Sequence, residues 1–87
     1  MTNFKEFQRK EIHGGIQHLA FFPNGYGVSI VKSTYSYGGE SGLWEMAVLK
    51  GNDDEWKITY DTPITSDVLG HLEENEVNEY VNQVIAL

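Results

Sequence analysis

The spacing of apolar residues changes near Asp61, and this change constrains the fold more than any other feature of the sequence. Before it, apolar and polar residues alternate, as they do through Trp56, Ile58 and Tyr60. A period of two is typical of a strand with two different faces. After it, apolar residues recur every three or four positions, as in an amphipathic helix. The residues of that stripe are Val77, Tyr80, Val81, Val84 and Ile85. Strands followed by a C-terminal helix are therefore predicted.

Four strands are predicted ahead of the helix, at residues 16–22, 26–34, 43–50 and 56–60. Their connections are short and contain turn-forming residues, which favours antiparallel neighbours because parallel strands need crossovers of about a dozen residues or more. We expect an α+β fold, in which a four-stranded antiparallel meander carries the C-terminal helix on one face. A double glycine at residues 14–15 breaks the pattern, so residues 1–15 are expected to form an N-terminal arm or short helix, and residues 16–87 a single domain.

Acidic residues outnumber basic residues by 13 to 6, and the net charge is −7. Residues 61–87 contain six carboxylates and neither lysine nor arginine. Because lysine and arginine neutralise phosphates, direct binding of nucleic acid is not expected. An acidic surface at Glu73, Glu76 and Glu79 could instead bind a basic partner or imitate nucleic acid. The alternative interpretations are solubility and stabilisation of the first turn of the helix.

No set of residues predicts catalysis or metal binding. The chain has no cysteine, and His13, His18 and His71 lack the close spacing of zinc ligands. The serines show no recognisable motif that pairs them with an activating base. We therefore expect no catalytic residues, no metal, no cofactor and no enzymatic activity.

Aromatic residues point to binding. Eleven of the 87 residues are aromatic, and in a domain this small some of the rings must lie near the surface. The loop at residues 35–42 combines two tyrosines with three glycines, and binding residues concentrate on loops held by rigid elements. We expect this loop to be mobile in isolation and to contact a protein partner, or a second copy in a homodimer. The alternative is a long hairpin turn that contacts no partner. The candidate binding residues are Tyr35, Tyr37, Glu40 and Trp44.

Three segments resemble a group of small proteins of unknown function encoded by bacteriophages and prophages. They are residues 22–31 (FPNGYGVSIV), 37–49 (YGGESGLWEMAVL) and 58–70 (ITYDTPITSDVLG). The resemblance covers about residues 21–87. It implies a genomic setting, with expression in a bacterial cytoplasm during infection and action by binding. The leading hypothesis is a small phage accessory protein that binds another protein. The alternative, which the acidic surface suggests, is an inhibitor that occupies a basic nucleic-acid site on a host defence enzyme.

The sequence also predicts where the protein acts. No apolar run reaches the roughly 20 residues of a membrane span, and the N-terminus does not read as a secretion signal. We therefore expect a soluble protein in the bacterial cytoplasm, without membrane contact. Together with the resemblance, this places the expected binding partner inside the infected cell.

Overall fold

A computed structural model describes residues 3–87 as a six-stranded sheet with one helix packed against it. The strands are β1 (Gln8–Ile12), β2 (Gly15–Phe21), β3 (Tyr26–Ser33), β4 (Trp44–Gly51), β5 (Trp56–Ile58) and β6 (Leu69–Leu72). Helix α1 spans Glu74–Ile85. The α+β class is confirmed. The predicted four-stranded meander has too few strands. Five strands are neighbours in chain order, and β6 pairs with β4 as a sixth strand.

The two strands that follow β4 share one of its edges. Both β5 and β6 pair antiparallel with β4, β5 opposite residues 49–51 and β6 opposite residues 44–46. Between them the chain leaves the sheet and then returns to it. That excursion contains Pro63, which lacks the N–H that a strand ladder needs. Strands β5 and β6 therefore behave as one edge strand interrupted by a loop.

The N-terminal stretch is part of the fold. Its first described residues form a short 3-10 turn, Phe4–Glu6, and β1 follows. The Phe4 side chain is completely buried, and its backbone N–H donates to Oδ1 of Asn78 in α1 at 2.9 Å. Lys5 Nζ lies 2.6 Å from the carboxylate of Glu74, also in α1. The residues that the sequence predicts as an arm or short helix thus tie the first strand to the last helix.

The main core lies between the sheet and α1. Alternate residues of β3 and β4 face the helix, which buries Val77, Val81 and Val84 from the predicted stripe. The other buried residues of this core are Phe4, Val28, Ile30, Trp44, Met46, Val48 and Leu72. A smaller cluster of Leu19, Ala47 and Leu49 lies on the opposite face, where Phe21 and Val68 pack against it. Both faces of the sheet are therefore partly apolar.

Replacing Val81 with aspartate should unfold the protein or come close to it. Val81 is completely buried against the sheet. An unpaired buried charge costs about 3–5 kcal/mol, a large share of the stability of a small domain. Asn75→Asp, at an exposed site in the first helical turn, is the matched control and should have little effect. Thermal unfolding followed by circular dichroism compares the two variants, and an unchanged midpoint for Val81→Asp would show that α1 is peripheral.

His18 is a buried titratable group in the core. Its ring lies 5.5 Å from the Phe4 ring and 5.7 Å from the Trp44 ring, measured between centroids. Its Nδ1 is buried and has no hydrogen-bond partner among the described residues. Burial lowers the pKa of His18; the Phe7 backbone opposes this effect, and the positive charge of Arg9, opposite His18 in β1, adds to it. His18 is therefore neutral where an ordinary histidine begins to protonate.

Acid should destabilise the fold through His18. The unfolded chain binds this proton at the ordinary histidine pKa of about 6.5, whereas the folded protein binds it only at lower pH. The unfolded state therefore gains protons first as pH falls, so the stability is complete above about pH 6.5 and decreases below it. The free energy of unfolding, measured with urea between about pH 5 and 7, should vary less with pH in His18→Phe than in the original protein. Phenylalanine retains an aromatic ring at this position. Equal pH dependence of the free energy of unfolding for the original protein and His18→Phe would refute this role of His18.

Candidate partner-binding surface

A loop rich in tyrosine, serine and glycine joins β3 to β4 at one end of the sheet. Nine of the ten residues from 33 to 42, STYSYGGESG, are serine, threonine, tyrosine or glycine. The side chains of Tyr35 and Tyr37 are 76% and 63% exposed, more than any other large hydrophobic side chain in residues 3–87. Two large rings thus face solvent within three residues of chain.

Two histidines from other segments lie beside these tyrosines. His13, in the turn between β1 and β2, stacks on Tyr35 with the ring centroids 5.6 Å apart and the planes 12° from parallel. The backbone N–H of His71 in β6 donates to the Tyr37 carbonyl oxygen at 3.1 Å. His71 also adopts a left-handed backbone with φ of 55°, which is uncommon outside glycine. We call the set of His13, Tyr35, Tyr37 and His71 the loop surface.

An open polar cleft of about 310 Å³ adjoins the loop surface. Its lining residues are Thr34, Ser36, Gly38, Glu40, Ser41 and His71. The hydroxyl groups, the Glu40 carboxylate and the imidazole can exchange hydrogen bonds with polar groups of a partner. No three histidine, aspartate or glutamate side chains within residues 3–87 cluster closely enough to hold a metal ion. The cleft is therefore suited to hydrogen bonding at the margin of an aromatic contact.

Backbone hydrogen bonds connect the residues of the loop to one another and to β4. The Tyr35 N–H donates to Ser33 Oγ at 3.2 Å, and the Tyr37 N–H donates to Glu45 Oε1 at 3.3 Å. Further backbone N–H groups donate within the loop, at residues 36, 39, 41 and 42. Backbone hydrogen bonds of this kind oppose local opening. The exposed tyrosines are thus displayed on a chain of hydrogen-bonded turns.

Trp44 does not belong to the loop surface, although the sequence suggests it as a binding residue. Its side chain is only 2% exposed and packs in the helix-side core, with its ring centroid 4.9 Å from that of Phe4. Lys32 Nζ lies 4.7 Å from the ring centroid. Alternation along β4 places Trp44 on the same face as Met46 and Val48, and α1 covers that face. The folded protein therefore does not offer Trp44 to a partner.

The three glutamates of the alternative acidic surface differ in their surroundings. Glu76 is half-buried and its Oε1 accepts the Glu73 backbone N–H at 3.0 Å, which stabilises the start of α1. Glu73 and Glu79 are exposed, and neither forms an ion pair within the described chain. The Glu73 side chain in turn accepts the Glu76 backbone N–H, which completes a capping box at the start of α1. Glu73 and Glu76 thus stabilise the helix, whereas Glu79 is outside the capping box.

A second exposed apolar group lies outside the candidate binding residues that the sequence suggests. Trp56, Ile58 and Tyr60 are 40%, 43% and 50% exposed. Alternation places them on the face opposite α1, where the Phe21 ring lies 6.3 Å from the Trp56 ring. The alternation predicts a strand here, but it does not show that the strand lies at the edge of the sheet. The acidic residues on both sides of residues 56–60 are the sequence signal that this strand lies in contact with solvent.

Comparison of this chain with known proteins identified no similar protein. No protein-family model matches this chain, and neither a curated protein nor a solved structure matches it. Within residues 3–87, no helix combines the length and the apolar character that crossing a membrane requires. The geometry of the molecule therefore carries the functional argument.

Contact between the loop and β6 can be tested with two glycines of the loop. Gly38 and Gly42 have φ of 92° and 78°, so alanine is strained at either position. A Cβ at Gly38 would lie 2.9 Å from His71 Cα, whereas nothing lies within 4 Å of a Cβ at Gly42. Gly42→Ala should cost about 1–2 kcal/mol and Gly38→Ala roughly 1 kcal/mol more. Equal unfolding midpoints for the two variants would contradict the contact with β6.

Proposed function

We propose that this protein is a non-catalytic binding module that contacts another protein through the loop surface. The observation that carries the proposal is the pair of highly exposed tyrosines, Tyr35 and Tyr37, on a hydrogen-bonded loop. Exposed aromatic rings mark candidate interaction sites, because a partner that covers them removes apolar surface from water. Tyrosine is also enriched in the cores of protein interfaces.

The composition of the loop supports the same function. Antibody binding loops are enriched in tyrosine, serine and glycine, because tyrosine gives a large contact area with few rotatable bonds, while serine and glycine give adaptable hydrogen bonding. The loop of this protein has the same balance, with nine of ten residues of these types or threonine. Its internal hydrogen bonds also reduce the entropy lost on binding, which favours affinity.

The proposed setting is the cytoplasm of a bacterium that carries the phage or prophage. Support for this setting comes from the three segments of sequence that resemble phage proteins, and the partner would be a phage or host protein. The polar cleft beside Glu40 would contribute hydrogen bonds at the margin of the contact.

One observation favours a second function, inhibition of a host enzyme at a basic, nucleic-acid-binding site. Glu73 and Glu79 are exposed and lack ion pairs in the part of the chain that the structure describes, and the net charge is −7. Exposed charges of this kind speed association with an oppositely charged partner. Salt weakens the attraction, because it screens exposed charges beyond about 8–10 Å near physiological ionic strength.

The proposal is tested by affinity capture of a partner from a bacterial host lysate. The captured partner is then titrated with this protein and with its variants. The double variant Tyr35→Ala/Tyr37→Ala should weaken binding about 30-fold or more, since an interface anchor contributes about 2 kcal/mol or more. Ile85→Ala, which removes an exposed apolar side chain from α1, is the control and should bind normally.

The same titration at low and high salt separates the two functions. Binding through the loop surface should depend weakly on salt and tolerate Glu73→Gln/Glu79→Gln. The opposite result would reject the loop surface in favour of the acidic inhibitor. In that case high salt and the glutamate changes abolish binding, and the tyrosine changes leave it intact.

A further inference from the structure

The outer backbone edge of β5 is unpaired. The Thr59 N–H donates to the Val48 carbonyl oxygen in β4 at 2.9 Å, so the backbone of residue 59 points inward. In an antiparallel pair, inward and outward backbone groups alternate along the strand. The N–H and C=O groups of Trp56 and Ile58 therefore point away from β4. No other described strand pairs with β5, and its three residues are exposed.

Apolar side chains line one side of this edge. Trp56, Ile58 and Tyr60, which we call the apolar strip, are each 40–50% exposed on the face opposite α1. Lys57, the basic residue between them, lies opposite Lys50 and shares the other face of the sheet. A further strand paired with β5 would place every second side chain against the apolar strip.

Carboxylates flank the apolar strip at both ends. They belong to Asp53, Asp54 and Glu55 before it and to Asp61 and Asp67 after it. All five residues are exposed, and none of them forms an ion pair among the residues that the structure covers. The two ends of the edge therefore favour positively charged groups, while the middle favours apolar side chains.

The other edges of the sheet are protected. The outer strand β1 carries four consecutive exposed polar residues, Gln8, Arg9, Lys10 and Glu11, and charged edge strands resist the addition of another strand. At the edge formed by β6, the His71 N–H already donates to Tyr37 of the β3–β4 loop. Of the edges that the structure describes, the one formed by β5 is both apolar and unpaired.

We propose that the edge of β5 binds an extended peptide segment of a basic partner, which adds to the sheet as a further strand. Its alternate apolar side chains cover the apolar strip, and lysine or arginine at its ends lies beside the flanking carboxylates. A second copy of this chain fits less well. Two β5 edges brought together would oppose like carboxylates and add two net charges of −7. This site is separate from the loop surface and does not depend on it.

The test is a titration of the 15N-labelled protein with the synthetic peptide KKVTVTVKK, followed by NMR. We expect the amide signals of Trp56 and Ile58 to shift most. The charge-reversed peptide EEVTVTVEE should bind at least tenfold more weakly. A version of the basic peptide with alternate N-methylated residues should also lose at least tenfold in affinity, because it cannot donate the ladder hydrogen bonds.

Two variants complete the experiment. Ile58→Pro removes an outward N–H and leaves the bonds to β4 in place, so it should weaken peptide binding at least tenfold. Tyr35→Ala/Tyr37→Ala should bind the peptide normally, which separates this site from the loop surface. The N-methylated peptide keeps the test valid if Ile58→Pro does not fold. Equal binding of the basic and acidic peptides, no shift at millimolar peptide, or a dimer joined through β5 in sedimentation would overturn the proposal.

Discussion

The contact between Phe4 and Trp44, whose ring centroids lie 4.9 Å apart, connects the first turn of the chain to the centre of the sheet. Trp44 begins β4, and its burial fixes which residues of that strand face α1, namely Met46 and Val48 as well. A shift of one residue in the pairing would turn these side chains to the opposite face. Phe4 also lies against the His18 ring, so the same contact places a titratable group inside the core.

The arrangement of β4 that buries Trp44 also supports the loop surface. It puts Glu45 on the other face of the sheet, where its carboxylate accepts the Tyr37 N–H. It also places Leu72 of β6 opposite Trp44, which brings the neighbouring His71 beside the loop. The exposed tyrosines are therefore held by hydrogen bonds to strands whose positions the buried core determines. Stability in the core and order at the surface are linked through β4.

Periodicity predicts the elements that have one buried and one exposed side. Strands β2 to β5 lie within about two residues of their expected positions, and helix α1 contains every residue of the predicted apolar stripe. The same signal fails for β1, which is exposed on nearly every residue, and for β6, which is short and contains Gly70 and the left-handed His71. Periodicity also does not show which face of the sheet α1 covers, because both faces carry apolar residues. For that reason the sequence suggests Trp44 as a binding residue, although it is buried.

The central claim is that partners bind this protein at the exposed tyrosines of a loop that the core holds in place. Hydrogen–deuterium exchange of the protein, free and bound to the captured partner, tests that claim most directly. We expect exchange at residues 34–42 to slow on binding, and exchange along α1 to stay the same. Slower exchange confined to the start of α1, around Glu73 and Glu79, with the loop unaffected, would contradict the claim.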